Sequence, residues 1–337
     1  MFSKMKLLVL TPLVSLFLPG CTMGENKRDF GLAAYDGPII DSHSHPRKQN
    51  LKQLTRHFAD ATIAGIERII VMRTPNDYRK PMKRNKLLTR ANKFTNVTIL
   101  CSGDFVGHLN KGRSKRALRE VVDIRKALKD GLCTGIGEVG LRHYDKRWAR
   151  GGGQPEVIVP LYSPLVLELL AIANQFAVPI VLHIEPVYRP RSIDNTGKVK
   201  IWYKDICRRF PRAKFVAAHT GMMSPPDLEE LFLACKNLYA DIKVLHHRGA
   251  IIGFADLYAV NDLEFKWFEH WAKMFEKYPE RFMYGSDWKE GRGRWRNKGF
   301  SYRNHTKRVR KMIGSLALSV QRKIAYSNAK RIFQLPQ

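Results

Sequence analysis

Acidic residues are scarce in this sequence. Aspartate and glutamate together number 30 against 59 lysines and arginines, so the formal net charge at pH 7 is +29. A chain with this charge attracts anionic polymers, anionic lipid head groups or acidic substrates. Because its basic residues are spread over several segments (113–119, 142–150 and 292–311) instead of one tail, nucleic acid or another polyanion is an alternative partner only.

The sequence also lacks an apolar run long enough to cross a bilayer, which takes roughly 20 residues. Its apolar stretch from Leu7 to Leu18 follows Lys4 and Lys6 and has the form of a signal peptide, which predicts export. The Leu18-Pro19-Gly20-Cys21 sequence resembles the lipobox of bacterial lipoproteins, which implies acylation at Cys21. An ordinary cleaved signal with an incidental cysteine is the alternative.

These features divide the chain into three parts. We predict a lipoprotein signal peptide over 1–20, a tether over 21–36 and one domain over 37–337. The predicted location is the periplasm or the cell surface, with the protein held to a bacterial membrane by its lipid. Export would remove Lys4 and Lys6 only, so the mature chain stays strongly basic.

Closely spaced cysteine pairs are absent, which excludes a zinc knuckle. Four cysteines follow Cys21, at positions 101, 133, 207 and 235. An exported protein could join two of them in a disulfide, but Cys101 and Cys133 fall in or beside apolar runs, where buried free thiols are equally compatible. A disulfide and free thiols both stay open.

Eight short apolar runs, rich in β-branched residues, recur along the chain. They cover residues 38–41, 68–72, 97–101, 134–139, 179–183, 214–219, 238–242 and 282–287. Runs this continuous are typical of strands buried on both faces, as in a parallel sheet.

Amphipathic stretches typical of helices separate these runs, at residues 51–64, 114–128, 164–176, 202–210, 227–234 and 263–275, with a closing helix at 320–333. Strand alternating with helix eight times matches the size of a (β/α)8 TIM barrel. A doubly wound open sheet is the competing architecture, but the glycine-rich first turn that usually marks it is missing. We therefore predict an α/β fold with a single barrel domain.

Side chains that can bind metal occur where the predicted strands end. His43 and His45 are two residues apart in the first strand, so their imidazoles share one face. His183 and His219 close the fifth and sixth runs, Asp287 closes the eighth, and Glu138 lies near the end of the fourth. Because barrel enzymes build their sites at this edge, the set predicts a divalent-metal site.

With these residues in place, the sequence resembles the amidohydrolase superfamily, and in particular its amidohydrolase-related branch. The resemblance runs from Asp41 to Phe333, and its motifs are Asp41-Ser-His-Ser-His45, Gly135-Ile-Gly-Glu-Val-Gly-Leu141, Leu182-His183, Ala218-His219, Tyr284-Gly-Ser-Asp-Trp288 and Asn328-Ala-Lys-Arg-Ile-Phe333. It implies a barrel enzyme that holds a divalent metal, usually zinc.

The resemblance also implies individual roles. His43, His45 and Asp287 bind or face the metal, and Asp287 accepts the proton of a metal-activated water. His183 is implied as a ligand of the same or a second metal, and His219 as a ligand or as a stabiliser of the developing oxyanion. Glu138 either bridges two metals, which we favour, or orients a ligand or binds substrate in a one-metal site.

Three cations just beyond strand ends are weaker candidates for binding a substrate carboxylate or phosphate: Arg73, Arg142 and Lys243. A solvated surface charge is an equally good interpretation of each.

The predicted function is hydrolysis of a small ester, lactone or amide. A TatD-like deoxyribonuclease is a competing hypothesis, favoured by the positive charge and by the segment around Glu138. Ser286 before Asp287, and Glu185 after His183, depart from that family's pattern. Metal-dependent decarboxylation of an aromatic acid is also compatible with the site residues. A non-enzymatic hypothesis is a lipoprotein that binds envelope polyanions.

Overall fold

The computed structural model describes residues 33–45, 51–72, 94–102, 105–144, 156–244, 259–262, 264–289 and 301–336. The predicted signal peptide, Cys21, most of the predicted tether and Arg73 lie outside these residues. Within them, every helix is too short or too polar to cross a bilayer.

Twelve strands form in the described chain. In chain order they are β1 Ile40–His45, β2 Arg68–Val71, β3 Val97–Ile99, β4 Ile136–His143, β5 Val157–Ile158, β6 Pro179–Ile184, β7 Val187–Tyr188, β8 Ile193–Asp194, β9 Lys214–Ala217, β10 Leu238–Ile242, β11 Phe282–Tyr284 and β12 Trp288–Lys289. Eight of them (β1, β2, β3, β4, β6, β9, β10 and β11) correspond to the eight predicted runs.

These eight strands are parallel neighbours in sequence order. One sheet has the order β12-β1-β2-β3, and the other has the order β11-β10-β9-β6-β4-β5. The sheets meet at both ends, because Cys101 bridges Ile136 in parallel between β3 and β4, and because β12, which continues the eighth strand, pairs with β1. This arrangement is that of the predicted (β/α)8 barrel.

Side chains of the barrel strands alternate between two apolar layers. Ile39, Ile69 and Ile99 belong to the layer between barrel and helices, whereas their successors Ile40, Ile70 and Leu100 belong to the barrel interior. The interior layer also contains Ala329, Ile332 and Phe333, so the closing segment covers the end where the strands begin. We call this end the base, and the opposite end, where the strands finish, the mouth.

Helices surround the barrel. They are α1 Leu51–Ile63, α2 Phe105–Leu109, α3 Ser114–Lys129, α4 Pro164–Phe176, α5 Thr196–Arg209, α6 Pro225–Ala234, α7 Glu269–Lys277, α8 Tyr302–Gly314, α9 Leu318–Arg322 and α10 Asn328–Ile332. Short 3-10 segments cover Arg189–Arg191 and Ala218–Met222, and a π-helical turn, Lys323–Ser327, joins α9 to α10.

Two predicted helix boundaries were wrong for local reasons. The helix predicted from residue 202 begins at Thr196, whose N–H donates to the Asp194 carboxylate at 2.8 Å. The helix predicted from residue 263 begins at Glu269, because Asp262 accepts the N–H groups of Glu264 and Lys266 and holds them in a turn.

The end of the predicted tether contacts the barrel. Tyr35 is buried and its N–H donates to the Arg310 carbonyl at 2.9 Å. The Arg310 guanidinium in turn donates to the carbonyls of Tyr35, Gly37 and Gly65. The chain therefore enters the fold at the base, beside the start of β2.

A disulfide joins Cys101, at the end of the third barrel strand, to Cys133, just before the fourth, whereas Cys207 and Cys235 are buried free thiols. The bond cross-links two neighbouring strands over a sequence separation of 32 residues. The pairing of Cys101 with Cys133, which the sequence could not decide, is thus settled.

We predict that the double substitution Cys101→Ser and Cys133→Ser lowers the free energy of unfolding by about 3 to 4 kcal/mol, because it frees the closed loop in the unfolded chain. Urea denaturation of the oxidised proteins measures this. The matched control, Cys207→Ser, removes a thiol without a cross-link and should cost less. Equal stability of the double variant and the wild type would contradict the prediction.

Candidate metal centre

His43 and His45 bring two imidazoles to one point at the mouth of the barrel. Both rings are buried, and their Nε2 atoms are 3.0 Å apart. The Nδ1 atom of His43 lies 2.9 Å from Asp241 Oδ2, and that of His45 lies 3.0 Å from the Met72 carbonyl oxygen. Each ring is therefore held through the nitrogen that points away from the shared point.

These partners decide which ring nitrogens carry protons. A carboxylate and a carbonyl only accept hydrogen bonds, so each Nδ1 is an N–H donor, and in neutral rings both Nε2 lone pairs face each other. Two facing lone pairs call for a cation between them. The residues thus fit a metal, which would be held by the two Nε2 atoms, with outer partners of the kind that orient metal-binding histidines.

The field at this point favours positive charge. Burial alone would lower the pKa of His43, but the carboxylates of Asp241 and Glu138 outweigh it and raise the pKa to about 10. In the absence of a metal, a proton on His43 therefore takes the cation's place. Metal binding at this site releases that proton, so metal affinity falls on acidification.

Carboxylates from the fourth and eighth strands complete this group. Glu138 lies 3.5 Å from His45 Nε2 and 3.8 Å from His43 Nε2. Asp287 Oδ1 lies 3.2 Å from His45 Nε2. The sequence predicted Glu138 near the end of the fourth strand; it lies within β4, which continues to His143.

A second group of ligands shares Glu138. Its Oε1 atom lies 2.7 Å from His183 Nδ1 and 4.0 Å from His219 Nε2. His219 Nε2 also lies 3.9 Å from Asp287 Oδ2. Ligand atoms of His43, His45 and Glu138 lie within 4.8 Å of one another, and so do those of Glu138, His183 and His219. All six predicted metal-site side chains thus converge at the mouth.

Asp241, which the sequence analysis missed, orients two of these histidines. Its Oδ2 atom holds His43 Nδ1, and its Oδ1 atom accepts the backbone N–H of His219 at 2.8 Å. Burial would raise its pKa, but the neighbouring His43 and His219 keep that pKa well below the ordinary value. The available signal was its position near the end of the predicted seventh strand.

Glu185, which was also missed, supports His183. Its Oε1 atom lies 3.3 Å from His183 Nε2, and its Oε2 atom accepts the Tyr144 N–H at 2.8 Å. This contact leaves His183 Nδ1 directed at Glu138. His143 stacks on His183 with ring centroids 5.5 Å apart. The available signal was again the two-residue spacing from His183, which puts Glu185 on the same strand face.

The Gly285-Ser286-Asp287 segment joins the eighth strand to the first. A Cβ atom on Gly285 would lie 2.8 Å from His43 Cβ and 3.1 Å from Asp241 Cβ, so glycine leaves the space that these two side chains need. Ser286 donates to Asp41 through both its N–H and its hydroxyl, and Tyr302 donates to the same buried carboxylate. Asp287 is then held by an N–H bond to the His43 carbonyl at 2.8 Å.

Left-handed backbone conformations occur at two of the predicted site residues and at the residue after one of them. His219, Thr220 and Asp287 have φ angles of 57°, 57° and 50°. Such angles are uncommon in residues other than glycine and occur preferentially where a functional side chain must be aimed. The sequence predicted that His219 closes the sixth strand. In the structure that strand ends at Ala217, and His219 lies in the tight turn after it.

The predicted substrate-binding cations have different surroundings. Lys243 forms an ion pair with Asp287 Oδ2 at the mouth. Arg142 lies beyond a bulge in β4, opposite Ile184 of the outer apolar layer, and its buried Nη1 atom has no hydrogen-bond partner among the described residues. Because of the bulge, the His143 side chain, and not that of Arg142, lies on the same face of the sheet as His183. Arg73 lies outside the described residues, so its role stays a prediction.

Comparisons with known proteins agree with this arrangement. The family profile described as amidohydrolase matches residues 40–335. No curated protein matches the sequence.

Solved structures with a similar fold include three enzymes or enzyme relatives. The hydratase of 4-oxalomesaconate from Rhodopseudomonas palustris has 14% identity and a TM-score of 0.53, over 88% of this chain and 95% of that chain. The 5-carboxyvanillate decarboxylase from Novosphingobium aromaticivorans, solved with manganese, has 10% identity and a TM-score of 0.52, over 89% of this chain and 98% of that chain. An amidohydrolase from Burkholderia multivorans has 12% identity and a TM-score of 0.51, over 89% of this chain and 100% of that chain. At such identities the likeness shows the fold alone.

We predict that Asp241→Asn weakens metal binding about 10- to 100-fold, because the neutral amide no longer holds the His43 ring with a charge. Competition with a chromogenic chelator for Zn²⁺ or Co²⁺ measures the affinity. Asp205→Asn, which removes a carboxylate paired with Arg208 on α5, is the matched control and should bind metal like the wild type. An unchanged affinity in Asp241→Asn would show that the ring needs no such support.

Proposed function

This chain belongs to the amidohydrolase family, and on that premise we propose that it hydrolyses a small ester, lactone or amide. It is an enzyme of the metal-dependent amidohydrolase kind. Zinc is the metal that we propose, since two or three imidazoles with one or two carboxylates form the ligand type that it prefers. The finer assignments below are part of the same proposal.

One observation carries the proposal: the Glu138 carboxylate belongs to two overlapping sets of ligands. His43, His45 and Glu138 would hold one metal, and Glu138, His183 and His219 would hold a second, with Asp287 beside the first. Paired metals at a shared carboxylate are typical of hydrolytic enzymes. A bound divalent cation supplies Lewis acidity, which makes water a nucleophile at neutral pH and polarises the carbonyl that it attacks.

We propose that Asp287 moves the proton. One of its oxygens faces His45 Nε2 at 3.2 Å, and the other is paired with the Lys243 ammonium. The ion pair fixes the orientation of the carboxylate toward the ligand cluster. We therefore assign Asp287 as the general base that takes the proton of the attacking water and passes it to the leaving group.

His219 acts as a neutral imidazole. Burial and, secondarily, the nearby Lys243 lower its pKa to about 4, against the opposing effect of Asp241. At neutral pH its ring therefore carries no charge. Because its Nδ1 atom faces Asp241 Oδ1 at 3.4 Å, the Nε2 lone pair is free to act as a metal ligand or to hold the reacting group in place.

Decarboxylation of an aromatic acid is the second candidate. Lys243 places a positive charge at the mouth, beside Asp287, where it could hold a substrate carboxylate. The same residue fits an acidic ester or lactone equally well. The two reactions differ in product, because only decarboxylation releases carbon dioxide.

We predict that Asp287→Asn lowers kcat on the best substrate by about 10²- to 10⁴-fold, because the amide cannot accept the proton. A panel of esters, lactones, amides, aromatic acids and DNA, assayed with added Zn²⁺, measures the activity. Asp123→Asn, on the outer helix α3, is the control and should retain it. Wild-type activity in Asp287→Asn would exclude this residue as the base.

The panel also separates the candidate reactions. Release of carbon dioxide from an aromatic acid, without ester or amide cleavage, would favour the decarboxylase. Cleavage of plain DNA that falls steeply with salt would favour the TatD-like nuclease. Inactivity on every class in a metal-loaded protein that still binds envelope polyanions would favour the binding lipoprotein.

We further propose that the protein is exported and lipid-anchored at Cys21. The signal-like residues 1–20 support this, and so does the Cys101–Cys133 disulfide, because disulfides form and persist in oxidising compartments outside the cytoplasm. An acyl chain alone binds membranes weakly, so stable anchoring takes at least two chains or additional basic residues.

We predict that bacteria that express the full chain incorporate labelled palmitate into the protein, and that Cys21→Ser abolishes this incorporation, because no other residue takes the place of the lipobox cysteine. Autoradiography of the immunoprecipitated protein measures the label. Cys207→Ser controls for the loss of a thiol and should incorporate label like the wild type. Labelling of Cys21→Ser would contradict the proposed anchor.

A further inference from the structure

The base of the barrel presents a cluster of cations. Its members begin or directly precede a barrel strand, or belong to the closing segment: Lys214, Arg281, Arg322, Lys323, Lys330 and Arg331. Glu280 pairs with Lys323 at 2.7 Å and with Arg331 at 3.8 Å, and the carboxylates Asp36 and Glu67 act on the buried Tyr35 where the chain enters the fold. These three carboxylates offset part of the charge, and the six cations leave the base with a positive excess.

Two tyrosines hold four of these cations in place. Arg281 and Arg331 lie over the Tyr239 ring, at 5.6 and 5.4 Å from its centroid. Arg322 and Lys330 lie over the Tyr326 ring, at 5.2 and 5.5 Å. Burial and the neighbouring Arg331 lower the pKa of Lys214, which shows how closely the positive charges approach one another. The cluster is a fixed array of cations backed by aromatic rings.

The chain enters the fold beside this array. A Cβ atom on Gly314 would lie 2.1 Å from the Ala33 carbonyl oxygen, so Ala33 packs directly on the end of α8. The Arg310 guanidinium donates to the Tyr35 carbonyl at 3.0 Å, and burial raises the pKa of Tyr35 against the opposing charges of Arg322 and Arg310. The first described residues therefore lie on the same end of the barrel as the cations.

Chain length links this entry point to the membrane. From the proposed lipid at Cys21 to Ala33, the chain spans at most about 40 Å even when fully extended. Charge alone would not select the base, because the whole chain is basic. The tether makes the selection, since it attaches to the base and so brings that end of the barrel nearest the bilayer.

We propose that the cation array at the base docks on an anionic lipid bilayer, so that the mouth of the barrel faces away from the membrane. This inference rests in part on the anchor proposed at Cys21. Lysines and arginines near an anionic surface each add to binding, and their contribution adds to that of the acyl chains. Small water-soluble substrates then reach the metal centre from the aqueous side.

Orientation is tested with the full, anchored chain reconstituted on vesicles of phosphatidylcholine with or without 30% phosphatidylglycerol. A dye is attached at Pro211→Cys, on the base, or at Ser114→Cys, at the mouth end of α3; both positions are exposed. Energy transfer to a headgroup acceptor reports the distance to the surface. We expect at least twofold higher transfer from 211 than from 114 on anionic vesicles, and a smaller difference on neutral ones.

Partition of the full Cys21→Ser chain onto the same vesicles tests the array without an acyl chain. The triple variant Arg322→Gln, Lys330→Gln and Arg331→Gln should bind anionic vesicles about 100-fold more weakly, from roughly 1 kcal/mol per charge. The matched triple Lys115→Gln, Arg116→Gln and Arg119→Gln, on α3, should change binding less than fivefold. Residues 7–18 contribute equally to every variant.

Several outcomes overturn the proposal. One is higher energy transfer from position 114 than from position 211. The others are equal losses of vesicle binding in the two triple variants, and equal binding to anionic and neutral vesicles. Failure of acylation at Cys21 alone would remove the anchor but would leave the partition experiment valid. Since both triple variants lie outside the metal centre, activity measured on them distinguishes failure of docking from failure of the enzymatic proposal.

Discussion

The candidate metal centre depends on one buried carboxylate, that of Asp241. A charge in the barrel interior is costly unless donors surround it. Here the His43 ring and the His219 backbone N–H supply them, at 2.9 and 2.8 Å. The cost of burying Asp241 is thus offset by the same contacts that aim two metal-binding rings. Removing the carboxylate would take away the partner of the His43 ring and of the His219 backbone N–H.

Closure of the barrel and construction of the site use the same residues. Asp41, at the start of the first strand motif, accepts hydrogen bonds from Ser286 and Tyr302, and Gly285 leaves room for His43. The eighth strand therefore cannot shift along the first without moving Asp287 relative to His45. This coupling gives the ligand cluster the rigidity of a closed sheet.

The sequence predicted the eight strands and the converging ligands because both depend on short-range rules. Apolar runs indicate buried strands, and the two-residue period indicates which side chains share a face. His43, His45 and His183 follow that period. The bulge in β4 breaks it, so His143 takes the face expected for Arg142. The left-handed turn at His219 likewise depends on Asp241, a contact between residues on different strands.

The missed features have two causes. Asp241 and Glu185 hold other side chains of the site, and their positions near strand ends, with Glu185 two residues after His183, do not by themselves reveal that role. The hairpin formed by β7 and β8 went unpredicted because its strands have two residues each. Patterns of such length carry little periodicity, and tertiary contacts with Tyr144 decide their structure.

That hairpin explains why family membership does not name the substrate. It follows Glu185 directly, and its Tyr188 stacks on Tyr144, whose N–H binds the Glu185 carboxylate. Arg191 covers both rings and is paired with Glu156. The wall beside His183 is therefore built from contacts of the β7–β8 hairpin, whereas the six metal-site side chains come from the barrel strands and the turns that follow them. In such a fold the strands carry the side chains that perform the chemistry, and the segments between the strands form the walls that select the substrate.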